Sequence, residues 1–469
     1  MSESTTQSSI SKPHKSRLTL YIVICLFLGI ILGFTLNQTY LEGDNKKLEN
    51  ISEALLVLHA KAQASTDSLE REDLLSQHRA MTRQRGTFLN ARDKKVEPFA
   101  LLADIFLRLI KMIVAPLVFT TLVVGVAKLG DISAVGRIGG KTLLWFISAS
   151  LMSLLLGMIM VNFFKPGEAM NLPLPDASES SGLVSVGLSL KEFLYHVFPA
   201  SVIDAMAKNE ILQIVVFSLF FGVATAAIGE KGKVIIQFMD AAAHVILKVT
   251  GHVMNLAPLA VFGAMTAVIA KQGLGILTTY SIFIGEFYFT LFLLWLILFF
   301  AGYTVLGRRT GELIKKVRQP TLLAFSTSSS EAAFPMTMEK LQEFGCKDKI
   351  VSFVLPLGYS FNLDGSMMYM TFASLFIAQS YGMNIPLPTQ ISMLLVLMLT
   401  SKGIAGVPRA SLVVIAGTLA TFNIPEAGLA LLLGIDPLLD MGRSATNVVG
   451  NSVATAVVSK WENELDTTP

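Results

Sequence analysis

The sequence predicts an all-α polytopic membrane protein with eight membrane-crossing helices and two re-entrant helical hairpins. Three observations carry this. Of 469 residues, 52% are hydrophobic and only 15% are charged, against roughly 25% charged in ordinary globular proteins. Mean hydropathy is +0.60, and apolar runs long enough to cross a bilayer recur along the chain. Two later segments are interrupted by Ser, Gly and Pro between arms too short to span. A net charge of +3 argues for no nucleic-acid partner. Cys25 and Cys346 define no disulfide or metal framework.

The run Leu18–Leu36 follows Lys12, Lys15 and Arg17. Residues 1–37 therefore read as a cytoplasmic tail and a first transmembrane helix, because positive charge stays inside. No small-x-small cleavage site follows, which disfavours a signal peptide. Residues 38–97 are polar, with Leu48, Ile51, Leu55 and Leu58 at helical spacing. The reading is an extracytoplasmic helical insert, with a disordered loop as the alternative. Apolar runs follow at 101–127, 143–164, 211–228, 234–249 continuing to 270, and 281–306. Lys128, Arg137 and Lys141 assign the loop between the second and third runs to the cytoplasm. Its Gly139-Gly140-Lys141-Thr142 is no phosphate loop, because Val135 stands where glycine is required and no strand precedes it.

The segment 320–338 carries Ser326-Thr327-Ser328-Ser329-Ser330-Glu331 between two basic flanks, Arg308 to Arg318 and Lys340 to Lys349. A simple span would put one flank on the wrong side, whereas a hairpin entering and leaving by the cytoplasmic face does not. A second broken segment, 390–424, has its tip at Thr400–Arg409. Both tips share Thr-Ser-x-x-x-Ala-x-x-Pro, at Thr327, Ser328, Ala332 and Pro335 and at Thr400, Ser401, Ala405 and Pro408. Chance agreement in small-residue-rich sequence is one reading. The other is an internal repeat whose broken helices meet near the midplane, as in secondary transporters.

Between residues 350 and 450 only seven charged residues remain: Asp364, Lys402, Arg409, Glu426, Asp436, Asp440 and Arg443. Ionisable groups at membrane depth are costly and mark pathways or sites, so function is expected here. In the run 351–378, Ser360-Phe361-Asn362-Leu363-Asp364-Gly365-Ser366 interrupts the helix and offers oxygen ligands beside a carboxylate. That chemistry suits a hard cation or a proton-linked site; a kink packed by a buried Asp is the alternative. In the last apolar run, 429–458, Asp436, Asp440, Arg443, Asn447 and Asn451 are spaced 4, 3, 4 and 4 apart. They share one helical face. A face turned to a cavity is the functional reading, and an interhelical salt-bridge network the structural one. All six histidines precede this section, so an enzyme using imidazole acid–base or zinc chemistry is not expected. An anion-conducting channel is the alternative of a different class.

The serine-rich tip Ser326–Glu331, the Asn362–Ser366 run, the Ser401–Pro408 tip and Asp436…Asn451 resemble the glutamate transporter family, the dicarboxylate/amino acid:cation symporters. The resemblance extends from Leu18 to Lys460, apart from the insert 38–97. It implies a homotrimer with inverted repeats in the bacterial inner membrane, and both termini in the cytoplasm. It also implies an elevator movement, in which residues 98–275 are mainly scaffold. The third helix, 143–164, would move with a transport domain at 276–460, leaving 461–469 as a tail.

By this resemblance Arg443 pairs with a substrate side-chain carboxylate and Asp440 receives the amino group, which favours glutamate or aspartate over C4-dicarboxylates. Ser329, Ser330, Ser366, Val407, Ser444 and Asn447 complete the pocket. Ser150, Gly358, Ser360, Asn362, Asp364, Asn447 and Asn451 match cation-site or coupling positions. Several positions depart from sodium-dependent relatives: Asn451 replaces an aspartate, Phe146 and Ala149 replace a tyrosine and a threonine, and Lys402 replaces an apolar residue. Met370 stands where animal relatives carry a proton-bearing glutamate. These departures favour protons over sodium as the coupling ion, with no other cofactor. Glu331, Asp364, Asp436 and Asp440 are candidate proton carriers, because desolvation favours a neutral carboxyl.

Overall fold

The computed structural model describes residues 18–65, 67–129, 132–169, 195, 197–273, 280–401, 410–433 and 435–466. Helices dominate throughout. The main ones are α1 (Leu18–Thr35), α2 (Glu42–Ala64), α3 (Ser68–Leu129), α4 (Ile132–Phe164), α5 (Ile211–Ala227), α6 (Gly232–Met254), α7 (Ala257–Gln272) and α8 (Ser281–Leu306). They continue as α9 (Arg309–Thr327), α10 (Ser330–Phe344), α11 (Asp348–Phe361), α12 (Asp364–Ser380), α13 (Leu387–Thr400), α14 (Ala410–Thr421) and α15 (Asp436–Trp461). Among the described residues, five helical stretches are long and apolar enough to cross a membrane, and the other apolar helices are shorter.

The insert is helical and forms an antiparallel hairpin. Lys95 reaches Asp44 at 2.5 Å and Arg85 reaches Ser52 at 3.2 Å, so the two arms run in opposite directions. Leu48, Ile51, Leu55 and Leu58 form a partly or fully buried stripe. No break in the helix marks the passage from the insert to the membrane run. With 62 residues, α3 is about 93 Å long. That is about twice a bilayer's ~40–45 Å, so much of the helix must project beyond it. Pro98 and Pro116 lie inside α3 without ending it.

The run expected over 234–270 divides instead at Asn255-Leu256, where Pro258 occupies the first turn of α7. Proline suits that position because its missing N–H has no intrahelical role there.

Two groups of contacts organise the rest. Helix α3 packs against α2, α5, α6 and α7, and α7 against α1. Helices α4, α8, α9, α10, α11 and α12 gather around α15, with α13 against α4 and α14 against α12. The groups meet where α11 rests on α3 and α5. From Asp364 to Ala378, α12 is buried on every side, so whatever it carries is enclosed by protein.

The end of the chain clasps this second group. Leu465 bridges to Cys346, and the Lys347 and Asp466 N–H groups donate to Glu464 O and Gly345 O at 3.1 and 2.9 Å. Lys349 pairs with Glu464 at 2.5 Å and Lys347 with Asp466 at 2.6 Å. Glu462 takes Arg137 at 2.9 Å and Lys141 at 2.7 Å, tying the start of α4 to the end of α15. Burial opposes the charge of Glu462, but hydrogen bonds from Arg137 and Lys141 outweigh it and hold the carboxyl below its usual range. A depressed pKa stabilises the folded state above the unfolded value, and that stabilisation is lost as pH falls through the depressed one. The protection of amides 462–466 against hydrogen exchange, corrected for the intrinsic pH dependence of exchange, is thus expected to fall as pH drops below the ordinary glutamate range. Corrected protection independent of pH there, or unaffected by Glu462→Gln, would show that the clasp does not depend on this charge.

Candidate functional site

The first hairpin forms, with a sharper break than its sequence suggested. Helix α9 ends at Ser328, which adopts left-handed φ 50° and ψ 37°. Ser329 then caps α10, its hydroxyl accepting from Ala332 N at 3.2 Å. Ser and other short polar residues suit an N-cap because the side-chain oxygen replaces the missing intrahelical acceptor. The tip docks on the start of α15 and on α11. Ser328 Oγ donates to Pro437 O at 3.4 Å, and Tyr359 Oη donates to Ser330 O at 3.0 Å. Glu331 sits half-buried in the first turn of α10. The second tip, with Lys402 and Val407, lies outside the described residues; its arms α13 and α14 do pack against each other.

On α15 the charges converge. Arg443 is only 1% exposed. Its Nη2 meets Asp436 at 3.0 Å and Asp440 at 2.9 Å, while Nε donates to Asp440 at 3.2 Å. Its guanidinium lies over the Tyr369 ring at 4.1 Å, and the Tyr369 hydroxyl donates to Asp436 at 3.2 Å. Asp436 is enclosed, whereas the Asp440 side chain keeps 35% of its exposure. The remaining guanidinium nitrogen, Nη1, has no hydrogen-bond partner among the described residues. Two carboxylates therefore share one guanidinium, and one buried donor is unspent among those residues. Such a donor costs free energy until an acceptor reaches it.

A second cluster forms at the break between α11 and α12. Asn362 and Leu363 leave helical geometry, at φ −127°, ψ 62° and φ −94°, ψ 64°. Asn362 Nδ2 donates to Asp364 Oδ2 at 3.0 Å and to Asn451 Oδ1 at 3.2 Å. From α4, Ser150 donates to Phe361 O and Ser153 to Asp364 Oδ1, both at 3.2 Å. Ser360 Oγ, Asn362 Oδ1 and Asn451 Nδ2 are buried without hydrogen-bond partners among the described residues. Two oxygens in need of a counterpart, beside a fully buried carboxylate, form a donor set suited to a hard cation. Close approach depends on glycine. A Cβ at Gly358 would overlap Asn451 Oδ1, and one at Gly450 would overlap Asp364 Oδ2.

Asn447 joins the clusters. Its Oδ1 accepts the Gly365 and Ser366 N–H groups at 2.9 and 3.3 Å, and its Nδ2 donates to Ser366 Oγ at 3.2 Å. A side chain on α15 thus satisfies orphan donors in the first turn of α12. Ser444 is buried one residue beyond Arg443. Of the residues singled out in the sequence, the described ones therefore gather along α15, the α11–α12 break and the first hairpin tip. Ser153 and Tyr369 were missed. Ser153 had a signal, since it lies one turn from Ser150 on the same helix; Tyr369 had none, as its role depends on how α12 meets α15. Among the described residues no group of His, Cys, Asp and Glu has metal-site geometry.

Comparison with known proteins identifies the family. A profile of the sodium:dicarboxylate symporter family matches residues 18–461. Over 370 residues the chain is 42% identical to the proton/sodium-glutamate symport protein of Geobacillus stearothermophilus, covering 78% of this chain and 88% of that one. It is 42% identical over 372 residues to the C4-dicarboxylate transport protein of Rhizobium etli, covering 78% and 84%. A C4-dicarboxylate transport protein of Bacillus subtilis is 39% identical over 377 residues, covering 80% and 89%. With a family profile spanning nearly the whole chain, and its apolar helices and broken segments accounted for, the protein belongs to the sodium:dicarboxylate symporter family, a family of membrane symporters and not of enzymes.

Proposed function

We propose that the protein imports glutamate and aspartate, coupled to protons, with Arg443 and Asp440 at the centre of the substrate site. The observation that carries this reading is the imbalance on α15: Asp436 and Asp440 share Arg443, whose Nη1 is unspent among the described residues. An acidic amino acid complements it. Its side-chain carboxylate takes Nη1, a charge-assisted bond stronger than a neutral one. Its ammonium draws the half-exposed Asp440, which turns from Arg443 toward it. Asn447, Ser366, Ser444 and backbone groups at Ser329, Ser330 and Val407 receive the α-carboxylate. A C4-dicarboxylate has no ammonium and would set a second carboxylate against Asp440, which costs free energy where water is scarce.

Proton coupling is supported by what surrounds Asp364. Asn451 is neutral, and Phe146, buried to 1% exposure, packs beside Gly358. Ser150, Gly358, Ser360, Asn362, Asp364, Asn447 and Asn451 are the residues through which the coupling ion would act, with Glu331 a further proton carrier. We place the carrier unit in α4 and α8–α15, moving as an elevator against α1, α3 and α5–α7. The protein would work as a homotrimer in the bacterial inner membrane, with both termini cytoplasmic.

Proteoliposome uptake tests this reading. Glutamate should accumulate under an inward pH gradient without sodium, and glutamate and aspartate should outcompete succinate and fumarate. Strict dependence on a sodium gradient would overturn the coupling, and better competition by succinate would overturn the substrate. Asp440→Ser should weaken glutamate inhibition about tenfold, the scale of a lost charge-assisted bond, while succinate inhibition changes little. Equal losses for both would remove Asp440 as the amine partner.

A further inference from the structure

Behind the polar face of α15 lies a second cavity, of about 540 Å³, between α8, α9 and α15. That is within the size range of small-ligand pockets. Its walls include Trp295, Phe299, Val317, Phe325, Ala445 and Val449. The few uncharged polar groups in them are spent internally. The Trp295 indole N–H donates to Thr446 at 2.8 Å, Thr446 and Thr321 donate to their own helix carbonyls, and Tyr288 donates to Leu438 O at 2.6 Å. Nothing there would hold a water, which needs two or more polar partners. Two of its lining residues, Phe292 and Ile314, are 56% and 40% exposed. Phe292 lies on α8, one of the helices apolar enough to cross a membrane, and on such a helix an exposed apolar side chain meets lipid.

One charged residue lines it. Arg318 stands midway along α9, and neither it nor Lys315, one turn away, makes a hydrogen bond or ion pair among the described residues. Their neighbours Arg309 and Lys316 are engaged, with Glu312 and Glu343. An apolar slot that carries one unspent cation has the chemistry of one occupant. We propose that the cavity holds an acyl chain of an anionic phospholipid whose phosphate sits against Arg318. Basic pockets between membrane helices bind such headgroups, and the apolar walls exclude free phosphate as the sole ligand. Gly442, Ala445, Thr446 and Val449 line the cavity from the helix that carries Arg443 and Asn447. A bound chain would therefore brace the helix that presents the site, between α8 and the arm of the first hairpin.

Trp295 provides a direct readout. In full-length protein carrying Trp145→Phe and Trp461→Phe, its fluorescence would be measured in vesicles of phosphatidylcholine doped with brominated phosphatidylglycerol or brominated phosphatidylcholine. Brominated phosphatidylglycerol should quench with about fivefold higher apparent affinity, the effect of one basic residue at a lipid surface. Arg318→Gln should abolish that preference, and Arg318→Lys should largely retain it. Equal quenching by both lipids, or a preference that survives Arg318→Gln, would reduce the cavity to bulk lipid contact and overturn the proposal. Quenching by neither would mean that protein fills the cavity, which overturns the proposal as well. Should the double tryptophan variant fail to fold, native mass spectrometry decides: wild type retains phosphatidylglycerol that Arg318→Gln loses, and equal retention overturns the proposal. Neither readout depends on substrate transport.

Discussion

Arg443→Cys is expected to abolish uptake of glutamate and aspartate, with a fall of at least two orders of magnitude in apparent affinity. The side chain is 1% exposed and holds Asp436, Asp440 and the Tyr369 ring together. Removing one partner of a buried ion pair costs roughly 3–5 kcal/mol, because the charge left behind has neither water nor a counterion. At ~1.4 kcal/mol per tenfold change, that is two to three decades. Two aspartates would then lack a cation, so part of the loss would fall on folding. Two controls separate the effects. Arg443→Cys with Asp436→Asn removes one stranded charge and should recover folded protein without recovering acidic-substrate uptake. Binding of neutral amino acids to the single variant should persist or rise. Full affinity for glutamate in a folded Arg443→Cys protein would remove Arg443 from the substrate site.

Asp364→Asn should uncouple transport from its driving ion. Asp364 accepts from Asn362 and Ser153, is fully buried, and supplies the carboxylate of its cluster. The amide keeps the size and loses the charge, so neither a proton nor a cation gains much by binding there. Uptake driven by a cation gradient should fall about a hundredfold, the scale of ~3 kcal/mol. Gly450→Ala offers an independent approach to the same cluster. Its Cβ would occupy the space of Asp364 Oδ2, displacing the carboxylate without neutralising it, so the same phenotype is expected with the charge intact. Gradient-driven uptake in Asp364→Asn comparable to wild type would show that coupling resides elsewhere, with Glu331 the next residue to test.

These two residues also show how far the sequence could be read. Arg443, Asp440, Asn447 and Asn451 were legible because a helix repeats every 3.6 residues and their spacing places them on one face. The break at Asn362–Asp364 was legible because Asn, Asp and Gly compete with the helical backbone. A hairpin at 320–338 was legible from the basic flanks on both sides of a serine cluster, but its arms run on from Arg309 to Phe344 and take in most of those flanks, and the left-handed Ser328 that makes its turn was not legible. The continuity of α3 across the edge of the insert was not legible, for a related reason. Polarity changes near residue 98, but the backbone of α3 continues through it. Composition reports which solvent a segment meets, not whether its hydrogen-bond ladder is interrupted.

Sequence by itself thus determined the solvent, the helical class, the broken segments and the stripe of polar side chains on the last helix. Each of these is local, written in composition or in a periodicity a few residues long. Tertiary structure decided the partners. Ser153 reaches Asp364 across 211 residues of chain, and Asn447 reaches Ser366 across 81. Tyr369 meets Arg443 only because α12 lies buried against α15, and Glu462 finds Arg137 and Lys141 more than 300 residues away. The cavity behind α15 exists in no single segment, because its walls come from three helices. Such contacts depend on how whole helices pack, and packing is settled by the shapes of many side chains at once.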